Sequence, residues 1–255
     1  MFPPVTLCSA TTIRYAVRSP SRPPHLRLSS RSPRLRRVSG QGLFIAFEGG
    51  DGAGKSTQVR LLASALESAG REVVVTRQPG GTELGSAIRD LVLHGDHVSP
   101  RAEALLFAAD KAHHVDELIR PAIARGAVVV TDRYTDSSVA YQGAGRDLGA
   151  VEVHDLQMWA VDSLVPDLTV IVDVSAEEGR RRRGEVHDRL ESEADSFHDA
   201  IRQHFLAMAQ GAPERYLVVD GTLDPDEIHA AIMGRLTSSG LLGEVSADPL
   251  GDVAP

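Results

Sequence analysis

Gly49, Gly54, Lys55 and Ser56 fall at the spacing G-x-x-x-x-G-K-[ST] within Gly49-Gly50-Asp51-Gly52-Ala53-Gly54-Lys55-Ser56, directly after the apolar run Leu43 to Phe47 and ahead of a helical stretch. Glycines let a backbone curl until successive N–H groups point inward at a polyphosphate, a lysine at this spacing reaches the β- and γ-phosphates, and the serine hydroxyl can ligate Mg²⁺. The stretch Gly49 to Thr57 therefore reads as a P-loop that handles a nucleoside triphosphate. Lys55 is one of only two lysines in the chain, against 25 arginines.

Two further clusters carry charge suited to phosphate chemistry. One closes a later apolar run, Val128-Val-Val-Thr-Asp132-Arg133-Tyr134. There a guanidinium can grip a phosphate with two hydrogen bonds, and the carboxylate can orient an arginine or Mg²⁺. The other is Arg180-Arg-Arg-Arg183 followed by Asp188-Arg189-Leu190-Glu191. Five arginines so close together could form a lid, about residues 176–192, that closes over transferring phosphates. Taken alone, such a run is as readily a solvated face.

These residues need elements to hold them. Val- and Ile-rich runs at Leu43–Glu48, Glu72–Arg77, Ala127–Asp132, Leu168–Val174 and Tyr216–Val219 predict five buried parallel strands. Helical patterns lie between them at Lys55–Ala69, Leu84–Leu93, Arg101–Arg125, Val151–Leu164, Ser192–Gln210 and Pro225–Thr237. The alternation predicts an α/β fold, a doubly wound five-stranded parallel sheet with helices on both faces and ligands at the carboxyl ends of the strands.

Composition limits the class further. The chain has 255 residues, 42% hydrophobic and 24% charged, with no apolar stretch long enough to span a membrane. Cys8 is the sole cysteine, which excludes an intramolecular disulfide and makes a reducing cytoplasm the expected location. Residues 1–41 carry eight arginines, many serines and prolines, and no acid, although the whole chain has a net charge of −8. This segment reads as a disordered basic extension, as a targeting or nucleic-acid-binding arm, or as the product of a start placed too early, with Val38 as the alternative start. Residues 240–255 read as a frayed tail, leaving 42–239 as the folded domain.

Five segments in order carry a resemblance: Phe47 to Thr57, Thr76-Arg-Gln-Pro-Gly-Gly-Thr82, Leu105-Leu-Phe-Ala-Ala109, Asp132-Arg-Tyr134 with Ser137-Ser-Val-Ala-Tyr-Gln-Gly143, and Asp188-Arg-Leu-Glu191. Over roughly Leu43 to Leu236 the chain resembles the thymidylate kinases, which make dTDP from dTMP and ATP. The resemblance implies that Arg77 and Arg133 hold the acceptor 5′-phosphate, that Phe107 stacks on thymine, and that Ser138, Tyr141 and Gln142 line the acceptor pocket. Tyr141 would crowd the 2′ position. Asp51 would approach the sugar 3′-hydroxyl or, with Ser56, the Mg²⁺ shell. Gly52 stands where one branch of the family has an arginine, so the catalytic arginine is expected from the lid, as in the bacterial branch, with Arg183 and Arg189 as candidates beside Lys55. A homodimer is also implied, with no nucleic-acid or membrane partner.

Two positions depart from the family pattern. Gln78 replaces the usual acid, and Lys111 stands where an arginine usually bonds the base; a lysine offers one compact donor group in place of a planar fork. Among other residues, His94 with His97 reads as a solvated helix end, His113-His114 as surface, and Trp159 as core packing. Another nucleotide or nucleoside kinase would share the P-loop and differ around Phe107 and Tyr141. A GTPase is disfavoured because no Asn-Lys-x-Asp segment occurs, and a non-catalytic ATP-binding regulator because the P-loop and lid sequences are intact.

Overall fold

The computed structural model describes residues 41–182 and 188–242. The expected basic extension but for Gln41, with Val38, and nearly all of the expected tail lie outside the described residues, as does Arg183. Five strands, β1 (Leu43–Glu48), β2 (Val73–Arg77), β3 (Val128–Asp132), β4 (Leu168–Asp173) and β5 (Tyr216–Asp220), form one parallel sheet in the order β2-β3-β1-β4-β5. Each agrees with its predicted run to within a residue. The helices are α1 (Lys55–Ser68), α2 (Glu83–Arg89), α3 (Pro100–His114), α4 (Arg120–Ala124), α5 (Thr135–Ser138), α6 (Ala150–Ala160), α7 (Ala176–Arg182), α8 (Asp195–Gly211) and α9 (Pro225–Ser238).

Strand β1 is buried along its whole length because successive side chains feed two different cores. Leu43, Ile45 and Phe47 pack with Leu62 and Leu66 of α1 and Ile232 and Leu236 of α9. Phe44 and Ala46 pack on the opposite face with Ile119, Ala122 and Tyr134, and the Phe44 and Tyr134 rings meet edge to face at 4.9 Å. Because β1 has β3 on one side and β4 on the other, the loops leaving β1 and β3 emerge side by side at the carboxyl edge. Phe47 is in register with Asp132, and Arg133 N donates to Phe47 O at 2.8 Å.

The helices depart from expectation in several places: α7 forms where no helix was expected, and the helix expected over Val151–Leu164 ends at Ala160. The predicted Arg101–Arg125 helix is interrupted by a π turn at Val115–Ile119, and Leu84–Leu93 is α2 followed by a π turn at Asp90–His94. A π turn adds a residue without ending the helix, so a 3.6-residue periodicity does not reveal it. α5 and the π turn Val139–Gly145 arise where no element was expected. Their start is fixed from outside the segment: the buried Glu48 carboxylate accepts from Tyr134 N at 2.9 Å and Ser137 N at 3.1 Å.

Two packing expectations are corrected. Trp159 is 81% exposed, because α6 turns Val153 and Gln157 to the core and a residue two further on points away. His114 is fully buried, its ring nitrogens bonded to Thr76 Oγ1 and Gln78 Nε2, both at 2.8 Å. His94 and His97 are exposed as expected.

α7 approaches the P-loop at two glycines: a Cβ on Gly52 would stand 2.3 Å from Gly179 O, and one on Gly179 would stand 2.6 Å from Asp51 O. A side chain at Gly52 would collide with the Gly179 carbonyl in this packing, which is consistent with the glycine found there. Gly49 is equally constrained, with φ +129° and a Cβ position 2.3 Å from Val172 O. Gly49→Ala should lower stability by at least about 2 kcal/mol in urea unfolding, whereas Gly50→Ala, with nothing within 4 Å of its Cβ, should stay within about 1 kcal/mol of wild type. Equal stability of the two variants would contradict this packing.

Candidate active site

The P-loop is wound around Lys55, whose Nζ donates to Gly50 O at 2.8 Å and Gly49 O at 3.1 Å. Gly54, at φ +99°, turns the chain into α1, so the first amides of that helix face the loop. Ser56 Oγ donates to Asp132 Oδ2 at 3.0 Å, bringing a hydroxyl of the P-loop and a carboxylate of β3 together. Such hard oxygen donors suit Mg²⁺. Asp51 lies elsewhere: its carboxylate accepts from Arg133 Nη2 and, at 2.9 Å, from the Tyr141 hydroxyl.

Arg133 joins the P-loop to a second cavity. Its backbone is left-handed at φ +69°, a conformation that costs free energy for a residue with a side chain and is held by surrounding bonds. Thr131 Oγ1 donates to Arg133 O at 2.9 Å, while Arg133 Nη1 donates to Ser137 Oγ at 3.0 Å and Gly49 O at 3.2 Å. Ser137 Oγ in turn donates to Glu48 Oε2 at 2.5 Å. The guanidinium lies 5.0 Å from the Tyr141 ring centroid, and Nη2 donates to the Tyr141 hydroxyl at 3.1 Å.

Asp51, Arg133 and Tyr141 line that cavity together with Phe107, Lys111, Ser138 and Gln142. Lys111 Nζ donates to Ser138 Oγ at 2.9 Å and Phe107 O at 3.4 Å, and stands 5.4 Å from the Phe107 ring centroid. Every predicted acceptor residue except Arg77 is therefore in one place. Arg77 is exposed and lines an outer groove with Ser56, Arg60 and Asp132. Arg89, which the sequence reading passed over, lines the cavity instead, its Nη1 donating to Pro79 O at 3.2 Å. It sits six residues past the Glu83 start of α2, where only the fold reveals that it turns toward Arg133.

The lid arginines divide in a similar way. Arg181 and Arg182 bond Glu178, and Arg180 pairs with Asp195, all near the surface. Arg189 does not point at the P-loop: its Nε donates to Val92 O at 2.9 Å and its Nη2 donates to the Glu103 carboxylate. Asp188, Leu190 and Glu191 of the same turn line the acceptor cavity.

Burial dominates the electrostatics. Burial alone would raise the Asp51 carboxyl, but Arg133 and Lys55 outweigh it and hold it well below the usual carboxylate range. Lys55 is pulled down by burial and then by Arg133, against the opposing carboxylates. Arg89 is lowered by burial and by Arg77 and Arg133. Burial, followed by Lys111 and His113, brings His114 down to about 4, so a neutral ring faces the neutral Gln78.

A P-loop at the carboxyl edge of a parallel sheet, sharing Asp51 and Arg133 with a separate pocket that holds an aromatic ring and buried donors, defines a P-loop phosphotransferase with adjoining donor and acceptor sites. Comparison with known proteins narrows the class. The family model for thymidylate kinase matches residues 47–232. The thymidylate kinase of Clavibacter michiganensis subsp. michiganensis is 57% identical over 198 residues, covering 76% of this chain and 94% of that one. That of Bifidobacterium longum is 52% identical over 196 residues, covering 75% and 95%. The crystal structure of thymidylate kinase from Ehrlichia chaffeensis superposes with a TM-score of 0.64 at 31% identity, covering 77% of this chain and 99% of that one. The chain belongs to the thymidylate kinase family.

Burial pulls Lys111 from 10.5 to about 8, with Arg133 adding to it and Asp110 and Glu48 opposing. Lys111 is then cationic below about pH 8 and neutral above it. With only two lysines in the chain, ¹³C NMR of lysine Cε should show a signal with a midpoint near 8 that disappears in Lys111→Arg. Titration of that signal near 10.5 would contradict the burial of this amine.

Proposed function

We propose that the chain transfers the γ-phosphoryl group of ATP to the 5′-phosphate of dTMP, the reaction of its family. An oxygen of the acceptor phosphate forms the new bond to the γ-phosphorus, the bond to the bridging oxygen breaks, and ADP and dTDP result. The observation that carries this reading is the shared ion pair: Asp51 of the P-loop pairs with Arg133 of the turn after β3, and both line the acceptor cavity, so the two phosphates are brought to one point. Phosphoryl transfer asks for little covalent help from a protein, and positioning with charge neutralisation supplies most of the catalysis.

In this reading the amides from Gly49 to Thr57 cradle the ATP phosphates and Lys55 leaves the loop carbonyls for the β- and γ-oxygens. Ser56 with Asp132 would hold Mg²⁺, with Asp51 near its shell or at the sugar 3′-hydroxyl; the ion supplies neutralisation of the phosphate charge when bound. Arg133 and Arg89 take the acceptor phosphate, Phe107 stacks on the base, and Lys111, Ser138 and Gln142 face its polar edge. Tyr141, held by Asp51 and Arg133, crowds the 2′ side of the sugar. Arg77, from the outer groove, meets phosphate only by turning inward. Arg183 remains a candidate for the transferring phosphate, while Arg189 serves through Glu103. The catalytic domain is 42–239, working in a reducing cytoplasm on small molecules, without nucleic acid or membrane.

Lys55→Ala should lower kcat by at least ~10³ in a folded protein, measured as ADP release with dTMP, because a transition-state charge contact is lost. Near-normal turnover in that variant would overturn the assignment.

A homodimer accompanies this reading. Leu105 of α3 and Val151 and Trp159 of α6 are 58%, 70% and 81% exposed, and in this reading they lie at the dimer surface. Trp159→Glu should convert a wild-type dimer to monomer in sedimentation velocity. A wild-type protein that sediments as a monomer would contradict the proposal.

A further inference from the structure

Glu103 lies in the first turn of α3 and is fully buried. A carboxylate is tolerated there only with partners, and it has them on separate elements. Gln142 Nε2, from the π turn Val139–Gly145, donates to Oε1 at 2.7 Å. Arg189 Nη2, from the Asp188–Glu191 turn, donates to Oε2. Arg146 Nε stands 3.6 Å from Oε1 and is held there by a 2.5 Å bond from its Nη1 to Glu193 Oε1.

This arrangement bears on both walls of the acceptor cavity. An ionised carboxylate only accepts hydrogen bonds, so it dictates which end of the Gln142 amide turns toward it. Nε2 is committed to Glu103, which leaves Oε1 as the end that Gln142 offers to the cavity it lines. Through Arg189, the same carboxylate anchors the turn whose Asp188, Leu190 and Glu191 form another wall.

We propose that Glu103 is a positioning residue for base selectivity. It touches no substrate. By fixing the Gln142 amide with its oxygen inward, it makes the pocket accept a ring N–H, which the imide edge of thymine presents and the corresponding position of cytosine does not. The inference rests on the dTMP reading given above.

The test compares kcat/KM for dTMP and dCMP in wild type and Glu103→Gln, each also in a Gln142→Ala background. A glutamine at 103 can face Gln142 with either end of its amide and so releases the orientation. The dTMP-over-dCMP preference should fall about 5- to 10-fold, chiefly through a higher dTMP KM, with kcat changed less than about 3-fold. In the Gln142→Ala background the same substitution should leave the preference within about 2-fold. A folded Glu103→Gln enzyme with wild-type preference, or one whose preference falls equally without Gln142, would overturn the proposal. Should Glu103→Gln not fold, Glu103→Asp, which draws the carboxylate back by one methylene, is held to the same two outcomes. A wild-type enzyme that does not phosphorylate dTMP fails the reading beneath, a result distinct from either.

Discussion

The carboxyl edge of this protein depends on the ion pair between Asp51 and Arg133. Asp51 belongs to the P-loop and Arg133 to the turn that leaves β3, two segments far apart in sequence that adjoin because β1 and β3 are neighbours in the sheet. Ion pairs withdrawn from water contribute little net stability, since desolvation offsets the attraction. This one fixes geometry. It holds Arg133 against a left-handed backbone, and it holds the Tyr141 hydroxyl at the point where the donor loop meets the acceptor cavity.

The surrounding structure is arranged to keep that joint in place. Glu48 reaches it through Ser137, and the same carboxylate accepts the amides that start α5, so the turn after β3 is held by the last residue of β1. On the opposite side α7 approaches the P-loop so closely that Gly52 and Gly179 leave no space for side chains. Farther out, Glu103 ties the Gln142 segment to the Arg189 turn. Three sets of contacts, none facing the phosphates, thus determine where the groups that do face them lie.

Much of this was legible in the sequence, and for identifiable reasons. The P-loop is a local pattern whose function depends on contiguous backbone, and the central strands β1, β3 and β4 are buried on both faces and so read as unbroken apolar runs, whereas the edge strands β2 and β5, also expected to be buried, are partly exposed. Phe107, Lys111, Ser138, Tyr141 and Gln142 were found through family motifs and do converge. What escaped depends on tertiary direction. Arg77 and Arg89 are both arginines near α2, yet only the fold shows that the second faces the cavity and the first the outer groove. Trp159 looked like core because it is large and apolar, although the core face of α6 passes through Val153 and Gln157. His114 looked like surface beside His113, and its burial follows from partners at Thr76 and Gln78, more than thirty residues away. Arg189 carried the charge expected of a lid, but its partner is a buried acid on α3.

The central claim is that the joint unites an ATP phosphate site with a site for a pyrimidine monophosphate. The most direct measurement is label transfer from [γ-³²P]ATP, in the presence of Mg²⁺, to a panel of dTMP, dUMP, dAMP, dGMP and thymidine, with products separated by chromatography. The account predicts label in dTDP first, in dUDP more slowly, and none in thymidine or the purine nucleotides, because the acceptor phosphate must meet Arg133 and a purine overfills the space beside Phe107. Preferential labelling of a purine nucleotide or of the unphosphorylated nucleoside would contradict it.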